Sequence, residues 1–155
     1  MNAKPDDGEV ATLRKQALGP TTVQEAGKRP LADVVKAALA AAGRSPHTRR
    51  AYRTAAGQFF TWLDQEQGPD LPSDWRPLAE AQEDGKRKAW DFTNAPAAVL
   101  WLIEPVTLDT WRLTLEAQGA SANTASVRVY AIRTLLSVAL RDGVIPQDQA
   151  QRLGI

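Results

Sequence analysis

The 155 residues include no cysteine and a single histidine. The first absence removes disulfides and thiolate metal sites. The second, with no clustered ligand residues beside it, leaves metal-enzyme chemistry without donors. No apolar run approaches the roughly 20 residues of a membrane span, and the N-terminus lacks a signal-peptide pattern. The expected setting is cytoplasmic, with no membrane partner. No glycine-rich phosphate loop occurs, and no Ser/His/Asp arrangement is suggested. The carboxylates Glu80, Glu83 and Asp84 fall on a charged segment that reads as a solvated face. Enzyme chemistry therefore finds no foothold: no catalytic residue, no metal and no cofactor is expected. Strand patterning and internal repeats are missing too, which leaves an all-α class.

What remains is enough chain for one domain with a real core. Net charge is only +1, but it is unevenly spread. Residues 67–118 carry five basic and nine acidic side chains, against fourteen and nine in the rest. Such asymmetry fits one phosphate-facing surface and one turned away from it.

Residues 1–29 mix Pro, Gly, Asp and Lys with little periodicity and read as a flexible tail, with at most a helical turn around Thr12–Leu18. The helical domain is expected over 30–155. Leu31, Val34, Val35, Ala38, Leu39 and Ala42 keep helical spacing until Gly43. Ser45 caps the next helix, with Pro46 at the favoured first position, and the helix runs to about Glu66. Its core stripe is Tyr52, Ala55, Ala56, Phe59, Phe60 and Leu63, bordered by Trp62. Residues 67–94 read as a surface excursion pinned by Trp75 and Trp90, with a short helix within Leu78–Ala89. Ala95–Ile103 is apolar enough for a buried helix, broken by Pro105. Thr107 is the expected cap of a helix to Gln118, with Leu108, Trp111, Leu115 and the Arg112 stem inward. Ser121 caps the last long helix, whose core face is Ala125, Val129, Ile132, Leu135, Leu136 and Ala139 before Gly143. A short helix near Gln147–Leu153 follows, giving a bundle of about five to six helices.

Two stretches carry the functional signal: Ser45-Pro46-His47-Thr48-Arg49-Arg50-Ala51-Tyr52 and Ser121-Ala122-Asn123-Thr124-Ala125-Ser126-Val127-Arg128. Each opens a helix with a serine cap and loads the first two turns with small hydrogen-bonding residues and arginine. The helix dipole and the cations favour phosphate, and short side chains permit close approach to a nucleic-acid groove. On the first helix, Thr48, Arg49 and Arg53 point away from the apolar stripe, where arginine can fork onto guanine or clamp phosphate. His47 can donate to phosphate from the first turn. On the second, Ser121, Asn123, Thr124, Ser126 and Arg128 crowd the start, and Asn can pair with adenine. A plainer reading stands beside this one: a well-capped, solvated polar face, with Ser, Asn and Thr present because they bind backbone amides. One of them must be the cap. Arg133, a turn further on, is a candidate partner for Asp109 or Glu116. Lys86-Arg87-Lys88 is either a solvated run or a phosphate contact. The five tryptophans are spread through the chain as core residues, not as a single-strand stacking platform.

At these helices the chain resembles the core-binding (SAM-like) domain of the tyrosine recombinase, or phage integrase, family (Cre/Xer-like). Ser45-x-x-Thr48-x-x-x-Tyr52 followed by Phe59, Phe60, Trp62 and Leu63 is similar to the family's opening helix. Gly119-x-Ser121-x-x-Thr124 followed by Ala131-Ile132-Arg133-x-Leu135-Leu136 is similar to its Gly-Leu-Ser-x-x-Thr helix, and Gly143-x-Ile145-Pro146 to its exit. The likeness covers roughly residues 31–153, with an atypically long connection over 67–100. It implies a domain that clamps double-stranded DNA, with both helices on the major groove. The implied contacts are His47, Thr48, Arg49 and Arg50, and then Ser121, Asn123, Thr124, Val127 and Arg128. Val127 enters by the resemblance alone, and Arg50 mainly so.

The family's catalytic arginines, lysine, histidine motif and tyrosine nucleophile belong to a second domain, absent here. Tyr52 and Tyr130 lie within helices of the binding domain and are not that nucleophile. The chain is expected to bind DNA, cut nothing and be a monomer in isolation. Other recombinase protomers on paired half-sites are partners of the full-length protein. A fragment ending at the domain boundary is expected, a standalone site-occupying regulator being the other possibility. Competing with the whole scheme is a helical protein-interaction domain using the acidic, tryptophan-rich 67–118 region.

Overall fold

The computed structural model describes residues 22–43, 45–67 and 95–155. Within them are six α-helices and one 3-10 helix, with no strand. The helices are α1 (Val23–Gly27), α2 (Leu31–Ala41), α3 (Pro46–Gln67), α4 (Pro105–Ala117), α5 (Ala122–Arg141) and α6 (Gln147–Leu153). The 3-10 helix, Ala97–Leu102, precedes α4. The all-α expectation holds. No helix among the described residues is long and apolar enough to cross a membrane.

α5 is the central element and packs on α2, α3, α4 and α6. Its Ala125, Val129, Ile132, Leu136 and Ala139 are all buried, at the three- and four-residue spacing that places them on one stripe. Small side chains let the helices approach: Ala38, Ala56 and Ala131 meet where α2, α3 and α5 converge, beside Tyr52 and Leu135. Aromatic packing joins α3 to α4. The Phe59 ring meets Trp111 edge-on with centroids 5.0 Å apart, and Phe60 similarly at 5.2 Å. Gly119 and Gly143, at φ +100° and +74°, let the chain turn sharply after α4 and after α5.

Four expectations need correction or narrowing. Residues 22–29, expected in the tail, belong to the fold. Thr22 caps α1 through its Oγ1, which accepts from the Glu25 amide at 3.1 Å. Ala26 and Gly27 are buried, Gly27 against Ala98 and Trp101. Within the expected buried helix Ala95–Ile103, the structure forms a 3-10 helix over Ala97–Leu102, not an α-helix. Proline-flanked and only six residues long, it is tied at its start by Leu31 N–H to Ala95 O and Ala97 N–H to Arg29 O. α4 begins earlier than Thr107: Glu104 is its N-cap and Pro105 its first residue. Thr107 sits at the third position, where its Oγ1 accepts from the Glu104 amide at 3.1 Å. Finally, Arg133 pairs with neither Asp109 nor Glu116; its guanidinium donates to the Gly154 carbonyl at 3.3 Å. The expected turn at Thr12–Leu18, the short helix within Leu78–Ala89, Trp75, Trp90 and Lys86-Arg87-Lys88 lie outside the described residues.

α6 is fastened by Gln149, which is 2% exposed and donates from Nε2 to the carbonyls of Leu100 and Ile103, each at 2.9 Å. On the surface above it, Arg152 forks onto Glu104 at 2.9 and 3.0 Å and reaches Asp148 at 3.2 Å.

Candidate nucleic-acid interface

Both serine caps form as the sequence predicts. Ser121 Oγ accepts from the Thr124 amide at 3.0 Å and donates to Thr124 Oγ1 at 2.9 Å. Ser45 Oγ receives the Thr48 amide at 3.4 Å, a longer bond. The two caps start α5 and α3, and the first turns of these helices come together. They flank a groove of about 360 Å³. From α3 it is lined by His47, Arg50, Ala51 and Thr54, a helical stripe one side chain wide. From α5 it is lined by Asn123, Thr124, Val127, Arg128 and Ala131. Tyr52 and Ala55 complete the lining. Polar and cationic groups thus crowd the end where both helices begin, while alanines supply small walls further in.

Six of the eleven residues singled out in the sequence share this groove: His47, Arg50, Asn123, Thr124, Val127 and Arg128. Val127 is half exposed, so its methyl groups are presented to solvent beside the arginines. Arg49 and Arg53 go elsewhere. With Arg50 again, and with Lys36, Leu39, Ala40 and Pro46, they line a second groove of about 460 Å³ between α2 and α3. Arg50 is the residue common to the two.

Three residues lie outside both linings. Ser121 is occupied as the cap. Thr48 is half-buried on the first turn of α3. Ser126 faces α4, where its hydroxyl accepts from Arg112 Nη1 at 2.9 Å. Thr54 and Arg128 also border a third groove, about 570 Å³, that continues along α3 past Gln58 and Thr61 towards Gln65.

The electrostatics follow from the sequence and from how it packs. No Asp or Glu occurs between Val34 and Leu63, nor between Ala117 and Arg141. These two acid-free stretches supply every described residue lining the first two grooves. Among the described residues, no carboxylate forms an ion pair with Arg49, Arg50, Arg53 or Arg128. An anion entering here meets cations, amide dipoles and hydroxyls, with no negative group among the described residues lining the path.

Sequence reasoning missed Lys36 and Arg112. Lys36 stands on the polar side of a helix assigned to the core, and only its packing against α3 brings it to the arginines. Arg112 was read as a packing stem; its hydrogen bond to Ser126 depends on the α4–α5 juxtaposition. No protein-family model, curated protein or solved structure matches this chain.

Proposed function

We propose that the chain is a duplex DNA-binding module of a site-specific tyrosine recombinase or integrase, which presents the first turns of α3 and α5 to the major groove. The observation that carries this reading is the convergence of His47, Arg50, Asn123, Thr124, Val127 and Arg128 in one groove with no carboxylate among its described lining residues. Their chemistry is that of base and phosphate recognition. Arginine forks onto guanine O6 and N7, asparagine pairs with adenine N6 and N7, and a valine methyl suits the thymine methyl. His47 and Thr124 donate to phosphate from the first turns, where the helix dipoles add to the attraction. The serine-capped motifs and their order along the chain support the recombinase assignment. On this reading the chain acts in the cytoplasm, binds without cutting, and leaves strand chemistry to a separate catalytic domain. In the full-length protein it shares paired half-sites with other protomers.

The test is retention of a random duplex pool over about 50 to 200 mM salt, followed by sequencing of what is held. An enriched half-site with steep salt dependence is the expected result. Retention without enrichment reduces the module to a nonspecific clamp, and no retention at the lowest salt rejects the reading.

One observation favours a protein-interaction domain instead. Val106 and Leu113, seven residues apart on α4, are 68% and 65% exposed. Binding of a partner protein by a chain that holds no duplex selects that alternative.

A further inference from the structure

The second groove is the more cationic of the two, and the residue recognition just described leaves most of it unused. Lys36, Arg49, Arg50 and Arg53 line it together with Leu39, Ala40 and Pro46. Arg49 and Arg53 stand one turn apart, a spacing at which like charges destabilise a helix unless an anion lies between them. Asp33, three residues before Lys36, lines neither groove. Three arginines presenting planar forks and a lysine presenting a compact charge, in a lining otherwise apolar, suit phosphate oxygens. A base edge would leave most of those donors unmatched.

The placement matters as much as the charge. A helix with its side chains is roughly 10–12 Å across, and the major groove is about 12 Å wide. A helix lodged there has base edges at its leading turns and a phosphate row along its flank. α3 has its base-reading candidates on the flank shared with α5 and this basin on the flank shared with α2. Arg50 lines both.

We propose that the Lys36–Arg49–Arg50–Arg53 basin is a phosphodiester-backbone site, so that α3 holds one strand's phosphates on its α2 flank while its α5 flank reads bases. The inference rests on the duplex reading and divides its labour. Affinity and salt dependence come from the basin, and sequence preference from the α3–α5 groove.

The full chain is compared with Lys36→Gln/Arg53→Gln and with Asn123→Ala on the random duplex pool. Thermal melts first establish that each variant is folded; Lys36 and Arg53 are exposed, so their exchange leaves the core intact. With about 0.9 counterions released per phosphate contact, the double variant is expected to lower the log–log salt slope by about two while enriching the same sequence. Asn123→Ala is expected to keep the slope and relax the enriched sequence at one position. A double variant with the wild-type slope, or with an altered enriched sequence, overturns the division while leaving duplex binding intact. Failure of the wild-type chain to retain any duplex overturns the duplex reading and the division together.

Discussion

Arg112 Nη1 donates to Ser126 Oγ at 2.9 Å and so ties the middle of α4 to the second turn of α5. That bond gives Ser126 a structural task within the group of residues the sequence marks for DNA contact. Ser126→Ala is expected to change duplex retention by no more than about threefold while costing about 1 kcal/mol of stability. Urea denaturation beside the retention assay separates the two effects. A large loss of retention in a stable variant would return Ser126 to the interface.

Arg50 lines both grooves on α3. Its replacement by alanine is expected to weaken retention about tenfold or more, exceeding the loss from Arg49→Ala or Arg53→Ala alone. Arg141, exposed at the far end of α5 and paired with Asp142 at 3.1 Å, provides the control. Arg141→Ala should leave retention unchanged. Equal losses at Arg50 and Arg141 would show a diffuse charge effect in place of a site.

Gln149 satisfies two buried carbonyls at once. Replacing it with methionine preserves much of the shape but leaves the Ile103 carbonyl unpaired, while the Leu100 carbonyl keeps only its bond from the Ile103 amide, so a loss of about 1–3 kcal/mol is expected in chemical denaturation. A loss well under 1 kcal/mol would mean that α6 is held by apolar contacts alone.

At Gly27 the choice of residue is steric. A Cβ there would run into the Trp101 ring and press on Ala98. Alanine's gain in helix propensity, about 1 kcal/mol, is outweighed by the cost of moving a packed indole, about 1–3 kcal/mol. Gly27→Ala should therefore lower the melting temperature and alter tryptophan fluorescence. A rise in stability would show that α1 can detach without consequence for the rest.

The Arg152 cluster gives a pH dependence of known sign. Hydrogen bonds from Arg152 hold the Glu104 and Asp148 carboxyls below their ordinary values of 4.5 and 3.8. Their contribution is complete above those values and is lost as pH falls through the lower folded-state ones. Arg152→Gln should therefore destabilise the protein slightly at pH 7 and progressively less as the solution is acidified below about pH 4, where the curves converge. The effect is small because the groups are largely exposed to solvent. Curves that stay parallel down to pH 2 would remove the cluster from the acid response.

The long helices were legible because each signal for them is local. Gly43, Pro46, Ser121 and Gly143 act within a turn of their own positions, and the apolar spacing of α2, α3 and α5 is unbroken. α1 was hidden because five residues ending in glycine carry no periodicity; the segment is helical through packing on Trp101. Ala97–Leu102 has the apolarity of a buried helix, and nothing in that apolarity separates a 3-10 path from an α one. Ties to Arg29 and Leu31, over sixty residues away in sequence, hold its start. The site divides in the same manner. His47, Asn123 and Arg128 were visible as helix-start residues, and Arg50 mainly through the family resemblance. Their sharing of one groove, the second groove with Lys36, and the inward turn of Ser126 all depend on how helices distant in sequence lie against each other.

The packing together of two acid-free stretches bears on how fast the molecule finds a polyanion. With a net charge of +1 the chain is almost neutral from afar. Beyond a Debye length of about 8 Å in physiological salt it exerts little pull. On the proposed reading, the arginines of α3 and α5 act inside that distance and turn their face towards the polyanion before contact. Collisions are then no more frequent than for a neutral protein, but a larger share of them begin with the right face forward.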